Sequence, residues 1–530
     1  MKTKIVFAVL MSLLLSACFD DDSNMKIEKI SPIRIDLGDM STNLTAYVLD
    51  TLKINPIVYK EGSGDDKLSY KWEISGNDII PEVLGNTMQL NAVVTTPMNN
   101  QPYDLILTVT DNETQLQNFA EFKLSVLSNF GKGLVVADTK DGVNSDLNLI
   151  MAYNFSYSIF SPFAEKNNKT MYSVFSLCNN GQVLNGMVKG MQVVSLYGAN
   201  RALTVITDHS MVRMDPYDYL IGKENGDLFF VPVPQGDKFM PRQLGYDGGP
   251  NYEVVNLDGT IYSRRLNQGN LYYGAPLETS LFDEYDISKL VAYPSYNRYE
   301  SVYYFDEKQN RFLSSTGDHA ELYTIPHITS GAFDPDNIGK KDALFMGYGS
   351  NNDIYTLFKA EEGNEYSLYT FTPQTLSPQG EFTPQSVYDF TNATDIDKAV
   401  AYETSPYEEL LYYATDTKIY AALLTGRTPS VFERYTVAEP GAKITSIKLW
   451  RQAGQGRIKM KDEESETGYY EVMALGQMMM VTTYNEATGE GKVICIPISV
   501  LGSGTLEKDT SFHKEYGGFG KILYIEPQTL

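Results

Sequence analysis

The groups in this sequence that could carry chemistry are few, and their spacing matters more than their number. Four histidines are present, His209, His319, His327 and His513. None lies in an HExxH run or another spacing that brings two imidazoles onto one metal. His319 and His327 flank a Thr-Ile-Pro turn and make a weak metal pair at most. Asp138, Asp141, Asn144, Asp146 and Asn148 gather oxygen atoms around Gly142. Calcium favours such ligands, but the spacing departs from an EF-hand loop and reads as a hairpin turn. Two of the 67 acidic residues could meet in a cleft and hydrolyse a glycoside. Carboxylates this abundant are mostly solvated surface. No G-x-S-x-G elbow, P-loop or dinucleotide fingerprint occurs. The expectation is no catalytic residue, no metal and no cofactor.

Recognition is better supplied. Arg264, Arg265, Tyr272, Tyr273, Tyr293, Tyr296, Tyr299, Tyr303 and Tyr304 concentrate two residue types enriched at binding surfaces. Arg264, Arg265, Tyr272 and Tyr273 are the candidate ligand-binding residues. The competing reading is that alternate tyrosines pack between layers of sheet. Trp72 and Trp450 are the two tryptophans, which leaves little for a sugar-stacking platform. Met478-Met479-Met480 reads as a core strand rather than a metal site.

The elements that must position these groups are strands. Tyr (38) and Phe (24) are abundant, Gly and Pro are scattered, and long helical periodicity is missing, so the fold class is all-β. Residues 27–127 read as an immunoglobulin-like β-sandwich. In its clearest strand Tyr103, Leu105, Leu107 and Val109 share one face. Trp72 belongs in its core. From 130 to 527 a hydrophobic strand, an Asp, Asn or Gly turn and an aliphatic–aromatic strand recur. Examples are Glu224–Phe229, Asn256–Tyr262, Phe305–Phe312, Asn351–Tyr355 and Thr415–Tyr420. Turns at 258, 310, 353 and 416 repeat about every 53 residues, a β-propeller period. That period gives seven blades, with eight as the alternative. Phe130-Gly131-Lys132 and Phe519-Gly520-Lys521 each precede an apolar strand, which suggests one blade closed by both ends.

The first residues address the chain. Lys2 and Lys4 precede about a dozen mostly apolar residues, too few to span a bilayer. Leu15-Ser16-Ala17-Cys18 fits the bacterial lipobox, so residues 1–17 are a signal peptide and Cys18 is the lipid-attachment site. Several acyl chains on one cysteine anchor stably where one is marginal. Residues 18–26 form an acidic tether in which Asp20, Asp21 and Asp22 resemble a surface-export signal. Loss of two lysines with the signal takes the net charge from −24 to −26. That balance argues against nucleic acid and against a basic membrane patch. Cys178 and Cys495 allow one optional bridge and read as core residues.

Tyr70-Lys71-Trp72 with the Tyr103–Asp111 strand resembles the PKD-like domains of Bacteroidota lipoproteins. After Trp72 the chain reads Glu73-Ile74-Ser75-Gly76-Asn77-Asp78 in place of Asp-Phe-Gly-Asp-Gly, so the likeness is to the looser PKD-like group. The resemblance implies an outer-membrane lipoprotein facing outward beside a SusC/SusD-type, TonB-dependent transporter of glycan or peptide. It implies a non-catalytic accessory subunit or binder. The alternatives are a surface hydrolase with carboxylates in the propeller cleft and a structural or adhesive protein.

Overall fold

The structure is a computed structural model that describes residues 31–60, 67–76, 79–99, 101–156, 168–195, 201–246, 252–265, 271–293, 301–317, 320–373, 382–451, 459–461, 469–471, 477–507 and 513–528. The signal segment, Cys18, Asp20, Asp21, Asp22, Tyr296, Tyr299 and His319 lie outside the described residues. Strands dominate, as the composition requires. The chain divides into two compact units. One comprises Met1–Ala46, Thr51–Val93 and Asn99–Ser125, and the other Tyr47–Asp50, Val94–Met98 and Val126–Leu530.

The first unit is built on a five-stranded sheet in the order Asn43–Tyr47, Gln117–Leu127, Tyr103–Asp111, Leu68–Gly76 and Ile79–Gly85, antiparallel from the second strand to the fifth. Two short ladders accompany it, Ile33–Asp36 with Ile57–Lys60 and Thr51–Ile54 with Leu90–Val93. Period-two patterning decides the burial: Tyr103, Leu105, Leu107, Val109 and Asp111 are buried and the residues between them are not. Asp111, which ends that inward row, is neutralised by Lys60 at 2.5 Å. Trp72 is fully buried, its ring 5.8 Å from that of Phe122. Its indole N–H donates to the Thr87 carbonyl at 3.0 Å, so the burial strands no donor.

Among the described residues the second unit holds seven sheets of three to five strands, antiparallel except where Glu278–Thr279 pairs parallel with Glu321–Thr324, and a two-stranded ladder of Lys459–Lys461 with Tyr469–Glu471. Their leading strands, taken as sheets one to seven, are Lys521–Gln528, Val188–Ser195, Pro241–Tyr246, Ile287–Ala292, Lys341–Tyr348, Ala401–Thr404 and Ala442–Leu449. Each leading strand lies beside those of the sheets before and after it, and the seventh lies beside the first. Apolar clusters are shared in the same order. Leu411 and Tyr413 of sheet six pack with Leu357 and Leu368 of sheet five. Leu410 and Tyr412 of sheet six pack with Val481 and Ile496 of sheet seven. Leu134 and Val136 of sheet one pack with Met480 and Cys495 of sheet seven. One strand therefore serves two interfaces, because its alternate side chains leave by opposite faces.

Sheet one joins both ends of this region. Gly133–Thr139 pairs antiparallel with Lys521–Gln528. The two echoing Phe-Gly-Lys stretches thus precede strands that are partners. Their glycines are not equivalent. The Gly520 N–H donates to Asp138 Oδ2 at 2.6 Å, and a Cβ there would sit 2.3 Å from the Thr139 carbonyl oxygen. At Gly131 the nearest atom would be Met151 Sδ at 3.7 Å.

Two turns play other parts than their sequence suggests. Asp258-Gly259 (φ 49° and 85°) joins the second and third strands of sheet three as a primed hairpin. The longer turns at 307–310 and 415–417 join the second and third strands of sheets four and six. Asn351-Asn352-Asp353 instead joins the first and second strands of sheet five. The equivalent turn there contains Gly363, between Ile354–Ala360 and Tyr366–Thr372. With 363 in place of 353 the spacings from 258 to 416 become 52, 53 and 53. Asn225-Gly226 is no hairpin but a 3-10 turn leaving the outer strand of sheet two. Turn chemistry reports that two strands are neighbours, not which pair of the sheet they form.

Because the close approach is backbone to backbone, Gly520→Ala should lower unfolding free energy by about 1–3 kcal/mol. Gly131→Ala should stay within about 0.5 kcal/mol of the parent. Urea unfolding of the two variants side by side checks this.

Candidate functional site

The ends of the leading strands bring polar and aromatic side chains together. Tyr246 ends its strand and Tyr293 follows Ile287–Ala292, and their rings lie 5.0 Å apart. The Tyr293 and Tyr524 side chains are close enough to act on each other's hydroxyl, which brings sheet four to sheet one. Tyr524 and Glu526, two apart on one strand, share a face. Lys448 meets both: its ammonium is 2.6 Å from Glu526 Oε2 and 4.7 Å from the Tyr524 ring centroid. It also donates to the Ile525 carbonyl at 3.0 Å. Beside them Arg451 donates to Glu403 Oε1 at 2.6 Å, Thr404 Oγ1 at 2.8 Å and the Tyr348 carbonyl at 2.7 Å. Glu403 Oε2 accepts the Leu449 N–H at 3.1 Å.

This cluster is enclosed by protein yet open to solvent. Lys448 and Glu526 keep 25% and 15% of their side-chain surface, and Arg451 and Glu403 keep 20% and 13%. Burial pushes the Glu526 carboxyl up, with Lys448 opposing. Burial works against the Lys448 charge too, but Glu526, Tyr293 and Glu403 together outweigh it and the ammonium is held above its ordinary value. Every charge named here has an opposite partner, so the cluster offers hydrogen bonds and tyrosine faces rather than net charge. Among the described residues it contains no serine, cysteine or histidine poised as a nucleophile beside a base.

The candidates named from sequence lie elsewhere: Arg264 and Tyr273 are interior between sheets two and three, Arg265 is buried on the other face of its strand, and Tyr272 is half-buried. Arg264 is 1% exposed and its Nε donates to Glu253 Oε2 at 2.8 Å. Arg213 Nη2 donates to the same oxygen at 2.6 Å, and Arg213 also bonds Thr204 Oγ1 and the Leu271 carbonyl. The Tyr273 hydroxyl accepts from Arg213 Nη2 at 3.4 Å, with the guanidinium 5.4 Å from the ring. Arg264 and Tyr273 thus join through Arg213 and Glu253. Arg265, the next residue on the strand, leaves by the opposite face beside its register partner Tyr252. Tyr272 accepts from Lys223 Nζ at 2.7 Å, the ammonium 4.1 Å from its ring. Tyr303 and Tyr304 are core residues, the latter bonded to Ser315. The four ligand candidates therefore do not form one surface, and alternate tyrosines of this stretch pack between sheets.

Sequence reasoning passed over Glu253, Arg213, Lys448, Glu526, Glu403 and Arg451. Glu253 did leave a signal: it interrupts the apolar run Tyr252–Leu257, every residue of which is buried. A carboxylate there needs a cation opposite it. The oxygen-rich stretch near Gly142 closes on itself. Asp141 accepts N–H bonds from Val143 (2.8 Å) and Asn144 (2.7 Å), which hold its carboxyl down at about 2. Asp146 accepts from Ser176, and Asp138 accepts from Asn148 and Gly520. His327 Nδ1 lies 2.5 Å from Asp334. Among the described residues no group of three His, Cys, Asp or Glu is placed to hold a metal. Cys178 and Cys495 are buried free thiols whose pKa burial raises.

Glu253 neutralises two guanidiniums at once. Burial favours its neutral form, but Arg213 and Arg264 outweigh this and the carboxyl is held below its ordinary value. Its stabilisation is therefore complete above the unfolded carboxylate range and lost as pH falls through the depressed folded value. Glu253→Gln should cost about 3–5 kcal/mol at neutral pH, because two buried cations lose their counter-charge. The variant should also show a shallower acid-induced loss of stability than the parent, followed by denaturation at stepped pH.

Residues 18–222 match the PKD-like family, a match that runs past the first unit into sheets one and two. No curated protein matches the chain.

Proposed function

We propose that the seven sheets are the blades of a β-propeller and that the chain is a non-catalytic binding subunit. It would be displayed as a lipoprotein on the outer membrane, beside a SusC/SusD-type transporter that takes up glycan or peptide. The cycle of leading strands and the apolar clusters shared by successive sheets support the propeller. One observation carries the binding role: three tyrosines and two solvent-reachable ion pairs meet where the leading strands end. Such a surface supplies aromatic faces and paired donors and acceptors, which suit recognition. The lipobox at Cys18 and the PKD-like match at 18–222 support the location and the partner. Lipidated protein extracted from its own outer membrane in mild detergent should carry a stoichiometric TonB-dependent barrel. Recovery of the protein alone overturns the uptake role. Cys18→Ser should release the protein from the membrane fraction; retention there overturns the anchor.

A hydrolase remains the second reading because of one detail. Glu403 and Glu526 both act on Lys448 and Tyr524, and burial raises Glu526 as a general acid requires. Activity on a glycoside panel that disappears in Glu526→Gln would favour it, and an inactive parent would remove it.

A further inference from the structure

We propose that a groove beside the outermost strand of sheet two is a second binding site, which takes an extended basic peptide as an added strand. The groove holds about 680 Å³. One wall is the strand Ile221–Glu224, and the other is the stretch from Val231 to Gln235. Among the described residues Ile221–Glu224 pairs within its sheet with Met211–Met214 alone; Asn179 Oδ1 holds the Ile221 N–H at 3.1 Å, which leaves the Lys223 end of the far edge for another partner. Across the groove Pro232 and Pro234 carry no N–H, so that wall offers mainly carbonyls, and these are sparsely used. Among the described residues Gln235 O accepts from the Lys238 N–H at 3.4 Å, and Val233 O accepts the Gln235 side-chain amide at 3.1 Å.

A slot walled by two stretches of underused backbone is complementary to a third. A strand advances about 3.3 Å per residue, so the four-residue edge takes a short segment. The alternating donors and acceptors of a strand edge are matched by a peptide backbone whatever its sequence.

Charge selects the sequence. Glu224 and Asp227 line the groove, and neither takes part in an ion pair among the described residues. The one cation there, Lys223, is already turned to Tyr272. With a chain of net charge −24 around it, the groove favours basic side chains. Phe230, next to the far wall and 81% exposed, offers an apolar contact at its end. Its N–H is held by the Tyr273 carbonyl at 2.8 Å, which fixes that wall to the neighbouring sheet.

The test uses the full chain and a capped, fluorescein-labelled hexapeptide, Thr-Lys-Val-Lys-Val-Thr, followed by anisotropy. The peptide is expected to bind, and N-methylation of alternate amides should weaken it by about tenfold or more. Replacing its lysines by glutamate, or introducing Glu224→Lys with Asp227→Lys, should weaken it similarly. Equal affinity of the N-methylated peptide would overturn strand addition, and indifference to both charge changes would overturn the basic preference. Absence of binding at millimolar peptide would overturn the site. Neither the tyrosine cluster nor a transporter partner enters this test.

Discussion

The second unit depends on one pairing, that of Gly133–Thr139 with Lys521–Gln528. Without it sheet one would lose its leading strand and the cycle would have two open ends. Unpaired strand edges in such a place invite association with other chains. The pairing is reinforced where it begins and where it ends. Asp138 holds the Gly520 N–H as the last strand starts, and buried Gln528 at its end bonds the Tyr219 hydroxyl at 2.6 Å and the Gly131 carbonyl at 2.8 Å. Because apolar clusters are shared by successive sheets, the sheets of the cycle depend on their neighbours for a core. A contact this distant in sequence carries a large loop-closure cost, so the strands between must already be close to their final places when it forms.

Inside this frame charge is buried in two ways, with different consequences. Between sheets two and three Arg213, Glu253 and Arg264 are 7% exposed or less, and their pairing locks one sheet onto the next. At the ends of the leading strands Lys448, Glu526, Arg451 and Glu403 are paired just as closely but keep 13–25% of their surface. The first arrangement cannot meet a ligand without opening the sheets. The second can exchange a hydrogen bond with one while its charges stay neutralised. Solvent reach, not residue type, separates scaffold from candidate site.

Much of the fold was legible along the chain because strand side chains alternate. The inward row Tyr103, Leu105, Leu107 and Val109, the buried Trp72 and the buried Met478-Met479-Met480 all follow from local pattern. Strand-and-turn repetition was legible for the same reason, although one turn in the count came from a different connection of its sheet. The binding candidates were less legible. Arg264 and Arg265 look like a pair in sequence, yet period two sends them to opposite faces.

The sequence by itself determined that the chain is all-β and that an apolar run near its start ends in Leu15-Ser16-Ala17-Cys18. It also determined that its long second region is built from repeated strands and turns, for these rest on neighbours within a few residues. Only the tertiary structure decided that Lys448 meets Glu526, that Arg451 meets Glu403 and that Tyr293 reaches Tyr524. Those partners lie tens to hundreds of residues apart. They come together because a cycle of sheets gathers its leading strands in one place, and no local pattern records which residue will face which across it.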